Sequence, residues 1–309
     1  MKAFQVTAPF EFGLAQVATT QPGRSEVKVD VAYAGICGSD LHIIHGQNAF
    51  VKFPRVTGHE FSGVVSEVGA DVEHIKVGDR VCIDPVISCG TCYPCRINRP
   101  NVCTRLQVIG VHRDGGFSEQ VCVPQSNVHR LPDSMSLSHA ALVEPYSIAL
   151  NVLDRMQPHP GDSLLIYGAG VIGLTLVQMA RALGLTDITV TDVIDERLAN
   201  ARSLGATRTL NGKDVDVEAT MREVTGGEGV PLIVDAACIP ALMPRMVRLA
   251  SPAGRIGLLG FSTTPTDLVQ LEMISHRIQF DEMPAAIAMI ENHPEQTRKV
   301  LVQVNSDHH

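Results

Sequence analysis

No stretch of this 309-residue sequence approaches the about 20 consecutive apolar residues that a membrane-spanning helix requires. The opening "MKAFQVTAPFEF" has neither the basic nor the apolar region of a secretory leader. A cytoplasmic location is therefore expected, with no membrane partner. Positive charge is scarce too: 25 lysines and arginines against 33 aspartates and glutamates leave a net charge of −8. That balance argues against a nucleic-acid partner, whose phosphates demand a basic face. Repeats, low-complexity tracts and long linkers are absent. What remains is an ordinary globular composition, 45% apolar and 19% charged, with length for one large or two ordinary domains.

Half of the eight cysteines sit in one short stretch, "SCGTCYPCRINRPNVC". In a reducing compartment such a cluster is more readily a metal site than a disulfide framework. Cys89, Cys92, Cys95 and Cys103 offer four thiolates from one lobe, which closes a tetrahedral zinc shell and leaves no position for substrate. The spacing predicts a structural zinc. Cys82, Cys122 and Cys238 lie in apolar stretches and are expected to be small core residues.

Along the chain, the first 150 residues read as β-rich, with Val27, Val29 and Val31 alternating with polar residues and short apolar runs parted by glycine turns. From residue 160 the pattern becomes strand, turn and helix in alternation: "SLLIYGAGVIGLTLVQMARALG", "DITVTD", "DERLANARSLG", "VPLIVDAAC". That spacing predicts a parallel α/β sheet. Within it, Gly168, Gly170 and Gly173 form G-x-G-x-x-G between an apolar strand and a helix, with Asp192 at the end of the next strand. This is the context of a dinucleotide fingerprint, where the pyrophosphate lies on the helix N-terminus. An aspartate there accepts hydrogen bonds from the ribose hydroxyls and repels a 2′-phosphate, so NAD is expected over NADP.

Two quieter stretches, "GICGSDLH" and "GHEFSG", supply Cys37, His59 and Glu60, and "LVEPYS" adds Glu144. A thiolate, an imidazole and carboxylates from distant loops, with water completing the shell, make an open zinc site of catalytic type.

Taken together these motifs resemble the zinc-dependent medium-chain dehydrogenases. "GICGSDLH", "GHE", "VGDRV", the four-cysteine lobe, "VEP" and "GAGVIG…D" occur in that family's order along nearly the whole chain. The sequence is most similar to the polyol and sugar-acid branch, and "PRVTGHEFSGVV", "CYPCRINRPNVC" and "IGVHRDGGFSE" look like the bacterial starvation-sensing and L-galactonate/L-gulonate 5-dehydrogenase group. The resemblance implies a GroES-like catalytic domain over residues 1–148, a Rossmann domain over 149–274, and a return of 275–309 to the first domain. It implies two zinc ions per chain, one catalytic and one structural, with NAD as hydride acceptor, and a homo-oligomer, dimer or tetramer.

By position, the resemblance puts Cys37, His59 and Glu60 at the catalytic zinc, with Glu144 either binding the metal or holding its water. Asp40 would hydrogen-bond and orient His59, and Ser39 and His42 would form the proton relay. Val171, Ile172, Asp192, Arg197, Leu259 and Gly260 match cofactor contacts. Ile43, His112 and Arg113 would line the substrate mouth, where Arg113 could pair with a sugar-acid carboxylate. The expected reaction is oxidation of a secondary alcohol of a sugar acid. A neutral polyol or L-threonine is the alternative substrate, and a non-enzymatic nucleotide sensor the alternative of another class. After "GRIGLLGF" the sequence is shorter than the family pattern by about one βα unit, roughly 30 residues, near Ile274.

Overall fold

The computed structural model describes residues 1–259, 274–293 and 299–303. The chain divides into two compact units, Met1–Ile148 and Ala149–His309.

The first unit is a β structure. Strands β1 (Lys2–Ala8) and β2 (Glu11–Gln16) form an antiparallel hairpin. The long β3 (Glu26–Gly35) leads into a short helix α1 (Gly38–Ile44), then β4 (Arg55–Val56), β5 (Glu60–Val68) and β6 (Arg80–Ile83). A two-stranded ribbon, β7 (Val86–Ile87) with β8 (Gln107–Val108), flanks a lobe that contains the one-turn helix α2 (Tyr93–Arg96). Strands β9 (Gln120–Pro124) and β10 (Val128–Arg130) complete a five-stranded sheet of order β10-β6-β5-β3-β9, beside a three-stranded sheet β2-β1-β4. The predicted alternation is what builds its core: Val27 and Val29 are fully buried with Phe61, Val65, Val81 and Val123. The short helix α3 (Leu137–Ala140) and α4 (Val143–Met156) follow.

The second unit alternates strand and helix as its sequence pattern predicts: β11 (Ser163–Tyr167), α5 (Val171–Ala182), β12 (Asp187–Asp192), α6 (Asp195–Ser203), β13 (Arg208–Asn211), α7 (Val217–Val224), β14 (Val230–Asp235), α8 (Met243–Leu249) and β15 (Ala250–Leu258). All neighbours pair parallel in the order β13-β12-β11-β14-β15. Both faces are covered, so β11 is apolar throughout its buried length. Leu164 and Ile166 face one core cluster, Leu165 and Tyr167 the other. The strand order reverses between β11 and β14, and ligands bind α/β sheets outside the carboxyl ends of the strands at such a point.

The sequence reading returns residues 275–309 to the first unit. In the described part of this stretch, β16 (Ile274–Gln279), helix α9 (Met283–Asn292) and β17 (Lys299–Gln303) follow in order, and β17 pairs parallel to β16 in a two-stranded sheet. The segment that reads short by one βα unit falls largely on residues 260–273, outside the described residues. Among the described residues, no helix is long and apolar enough to cross a membrane.

Candidate active site

Two segments of the first unit converge. Cys37 ends the loop after β3, and His59 and Glu60 open β5, whose first residue pairs with Gly35 across the sheet. The Cys37 sulfur, a His59 ring nitrogen and a Glu60 carboxylate oxygen all lie within 4.8 Å of one another. Glu60 is buried, and Cys37 and His59 are half-buried. Burial pushes both the Cys37 thiol and the Glu60 carboxyl above their ordinary pKa ranges, and the neighbouring His59 partly offsets this at Glu60. Two acids and an imidazole crowded out of water fit a bound divalent cation, which supplies the missing positive charge.

Glu144, in the first turn of α4, lies outside that 4.8 Å group but feels it. Burial raises its carboxyl pKa to about 7, opposed by His59 and reinforced by Glu60 and Asp84. Asp84 was not anticipated, because its sequence neighbourhood carries no motif.

Asp40 does more, and something different, than its expected task. It is 1% exposed. One oxygen accepts the Cys37 backbone N–H at 2.9 Å and the other accepts the Gly58 N–H at 3.1 Å. Its approach to His59 Nδ1 is 3.8 Å, an electrostatic contact longer than a hydrogen bond. Asp40 therefore ties the two ligand-bearing loops together through their backbones. Ser39 Oγ stands 3.4 Å from His59 Nε2, and His42, exposed one turn on, bonds Gln47.

The expected substrate residues are not gathered at this site. Ile43 is 1% exposed and packs in the core with Val6 and Val111, because it projects from the buried side of α1. The Arg113 guanidinium already has a carboxylate, Glu26 Oε1 at 2.5 Å. His112 accepts the Val108 N–H on Nδ1 and lies against Phe50.

The cysteine lobe is compact and contains no disulfide. Cys92 Sγ is 3.4 Å from Cys95 Sγ and 3.7 Å from Cys103 Sγ. A tetrahedral zinc with Zn–S near 2.3 Å sets its sulfurs roughly 3.8 Å apart, so the lobe has the dimensions of a closed shell. Backbone N–H groups lower the Cys89 and Cys92 thiols, whereas burial and the neighbouring thiols push Cys95 up, a crowding of sulfurs that a bound cation would relieve. Of the other cysteines, Cys82 is buried and Cys122 half-buried. Cys238 is exposed, contrary to expectation: Asp235 Oδ1 accepts the N–H groups of Ala237 and Cys238 and turns the chain outward at φ +59°.

In the second unit, Gly168 takes φ +99°, and a Cβ on Gly173 would strike the Gly168 carbonyl. A Cβ on Gly170 would meet nothing within 4 Å, leaving open space where a pyrophosphate belongs. A cleft of about 340 Å³ is lined by Gly168, Gly170, Asp192 and Arg197 among others. Asp192 accepts N–H groups from Ala169, Val193 and Ile194, which uses three of about four carboxylate lone-pair sites and leaves one for a further donor. Arg197 stands 3.9 Å away. Val171, Ile172 and Leu259 lie outside this lining, and Gly260 lies outside the described residues. Sequence reasoning missed Ile239 and Arg245, which reach the cleft only through the sheet's topology, and Tyr167, which directly precedes Gly168.

A β-sheet unit carrying an open Cys-His-Glu trio and a closed four-cysteine lobe, joined to a parallel sheet with a dinucleotide cleft, defines a zinc-type dehydrogenase. Residues 23–133 match the alcohol dehydrogenase GroES-like domain and residues 171–300 the zinc-binding dehydrogenase domain. The chain belongs to the zinc-binding alcohol dehydrogenase family of oxidoreductases. It is 43% identical to the starvation-sensing protein RspB of Escherichia coli over 93% of this chain and 86% of that one. It is 32% identical to 2-dehydro-3-deoxy-L-galactonate 5-dehydrogenase of Pseudoalteromonas atlantica over 90% and 83%. A solved Escherichia coli alcohol dehydrogenase (rspB) complexed with NADH matches with TM-score 0.83 and 39% identity, covering 98% of this chain and 99% of that one.

Proposed function

We propose that this protein oxidises a secondary alcohol of a sugar acid, of the L-galactonate or L-gulonate kind, with NAD as acceptor. The observation that carries the reading is the Cys37-His59-Glu60 trio, with its three ligand atoms within 4.8 Å of one another and the Glu144 carboxyl close enough to feel Glu60 and His59. The relative from Pseudoalteromonas atlantica supports a sugar-acid substrate, and the NADH complex of the rspB structure supports the cofactor. When bound, zinc supplies Lewis-acid activation of the alcohol and NAD takes the hydride.

The chain's own residues do the rest. Cys37, His59 and Glu60 hold the metal, with Asp40 fixing the backbone on both sides of them. Glu144, half-buried beside the trio, is the carboxylate placed to accept or return a proton or to hold the metal's water. Ser39, within 3.4 Å of His59, opens a second path along α1 toward the exposed His42. Asp192 receives a ribose hydroxyl and disfavours a 2′-phosphate. The Cys89-Cys92-Cys95-Cys103 lobe braces the fold. Since Glu26 occupies Arg113 and Ile43 is core, neither is assigned to the substrate.

The test is NADH formation across L-galactonate, L-gulonate, sorbitol and L-threonine, with and without a chelator. Chelator-sensitive turnover highest on the sugar acids is expected. Preference for sorbitol or L-threonine would overturn the substrate assignment, and chelator-insensitive turnover the role of the metal.

A further inference from the structure

Helix α1 carries Ser39 and His42 at positions i and i+3, one turn apart on one face. Ser39 points inward, with Oγ 3.4 Å from His59 Nε2. Ser39 is half-buried and His42 exposed, so the two stand in order from the ligand trio toward solvent. At the far end of this path stands a contact that no motif anticipates: His42 Nδ1 lies 2.7 Å from Gln47 Oε1.

The surrounding turn builds this contact. The His45 N–H bonds the Leu41 carbonyl at 2.9 Å, the Gly46 N–H bonds the Ile43 carbonyl at 2.9 Å, and the Gln47 N–H bonds the His42 carbonyl at 2.8 Å. Gly46 at φ +70° reverses the chain, and buried Ile43 pins the helix beneath it. Gln47 is thus delivered beside the ring by its backbone.

We propose that Gln47 is a positioning residue for proton release, selecting the His42 tautomer that keeps Nε2 free to take a proton. This rests on the reading of the site as an alcohol oxidant. An amide oxygen accepts and does not donate, so the Nδ1 hydrogen is held on the Gln47 side. The lone pair of the neutral ring is then on Nε2. A proton leaving the alcohol forms the new N–H bond at Nε2, making an imidazolium with both nitrogens protonated. Loss of the Nε2 proton to water restores the starting tautomer, and no electrons are exchanged. With the opposite tautomer, Nε2 would already carry hydrogen and the relay would be blocked until the ring exchanged its protons.

Nitrogen NMR of the histidine rings in the full-length protein reads the tautomer independently of any substrate. The expected result is His42 protonated at Nδ1 in the starting protein and a shift toward Nε2 protonation in Gln47→Leu. Steady-state kinetics should show Gln47→Leu losing ~10-fold in kcat, a fraction of what a positioned proton-transfer group contributes, with KM values for alcohol and NAD little changed. In a His42→Ala background the same change should cost nothing further. Unaltered melting temperature separates this from a folding defect. His42 protonated at Nε2 in the starting protein would overturn the proposal, as would an undiminished loss in the His42→Ala background. Protein with the expected tautomer but no turnover on any alcohol would overturn the functional reading beneath it, and with it the relay, leaving only the hydrogen bond.

Discussion

Asp40 and Cys37 are joined by a hydrogen bond of 2.9 Å from the Cys37 backbone N–H to Asp40 Oδ2, and the other Asp40 oxygen accepts from Gly58, next to His59. One buried carboxylate therefore sets the separation of two ligands that are 22 residues apart in sequence. Asp40→Ala leaves two backbone donors without partners, at a cost of about 1–3 kcal/mol each where they are buried. The expected outcome is a lower melting temperature together with weaker zinc retention at the Cys37-His59-Glu60 trio, read by metal analysis after dialysis. Asp40→Asn, which keeps one acceptor oxygen, should fall between. Full zinc retention in a folded Asp40→Ala protein would show that the loops hold their spacing unaided.

The cysteine lobe should behave as a brace. Cys95→Ser is expected to remove one zinc per chain and lower thermal stability before it abolishes turnover, because the lobe has no open coordination position. Metal content and melting curves check this. A variant that keeps both zinc ions, or loses turnover at unchanged stability, would place the lobe in the chemistry instead.

Asp192→Ser should weaken NAD binding and narrow the gap to NADP. The variant removes both the ribose acceptor and the negative charge that a 2′-phosphate would face. Titration with each nucleotide should show about a tenfold or greater change in their affinity ratio, the size of one charge-assisted hydrogen bond. An unchanged ratio would mean that selection lies elsewhere in the cleft.

Glu144 makes the metal-free protein sensitive to pH in a definite direction. Its carboxyl titrates near 7 in the folded chain against 4.5 unperturbed. Between those values the folded state holds a proton that the unfolded state has lost, so this group's contribution to stability falls as pH rises from about 4.5 to 7. Denaturant titrations of zinc-free protein across that window should show the decline. Glu144→Gln, which cannot ionise, should flatten it. A slope of the opposite sign would contradict the half-buried, acid-crowded setting of Glu144.

Those features that announce themselves in sequence are the ones whose chemistry is local. The four thiols of the lobe lie within 15 residues, and the glycine fingerprint needs only a strand before it and a helix after it. The strand and helix alternation of the second unit follows from apolar runs buried on both faces. Pairings across long sequence separations were not legible. Arg113 reads as a free cation near a substrate mouth until its partner, Glu26, 87 residues earlier, comes into view. Ile43 reads as pocket lining because sequence does not say which side of a seven-residue helix is inward. Likewise the parallel pairing of β17 with β16, about 25 residues apart, is not readable from hydrophobic pattern alone.

On this reading catalysis is assigned to the Cys37-His59-Glu60 trio and NAD binding to the Gly168–Asp192 cleft. The most direct test is one paired measurement on His59→Ala: alcohol-dependent NADH formation and NAD affinity in the same folded preparation. Turnover should fall by at least ~100-fold, the lower range for removing a group essential to proton or Lewis-acid catalysis, with NAD affinity within about twofold of the starting protein. Retained turnover, or a parallel collapse of NAD binding, would contradict this assignment.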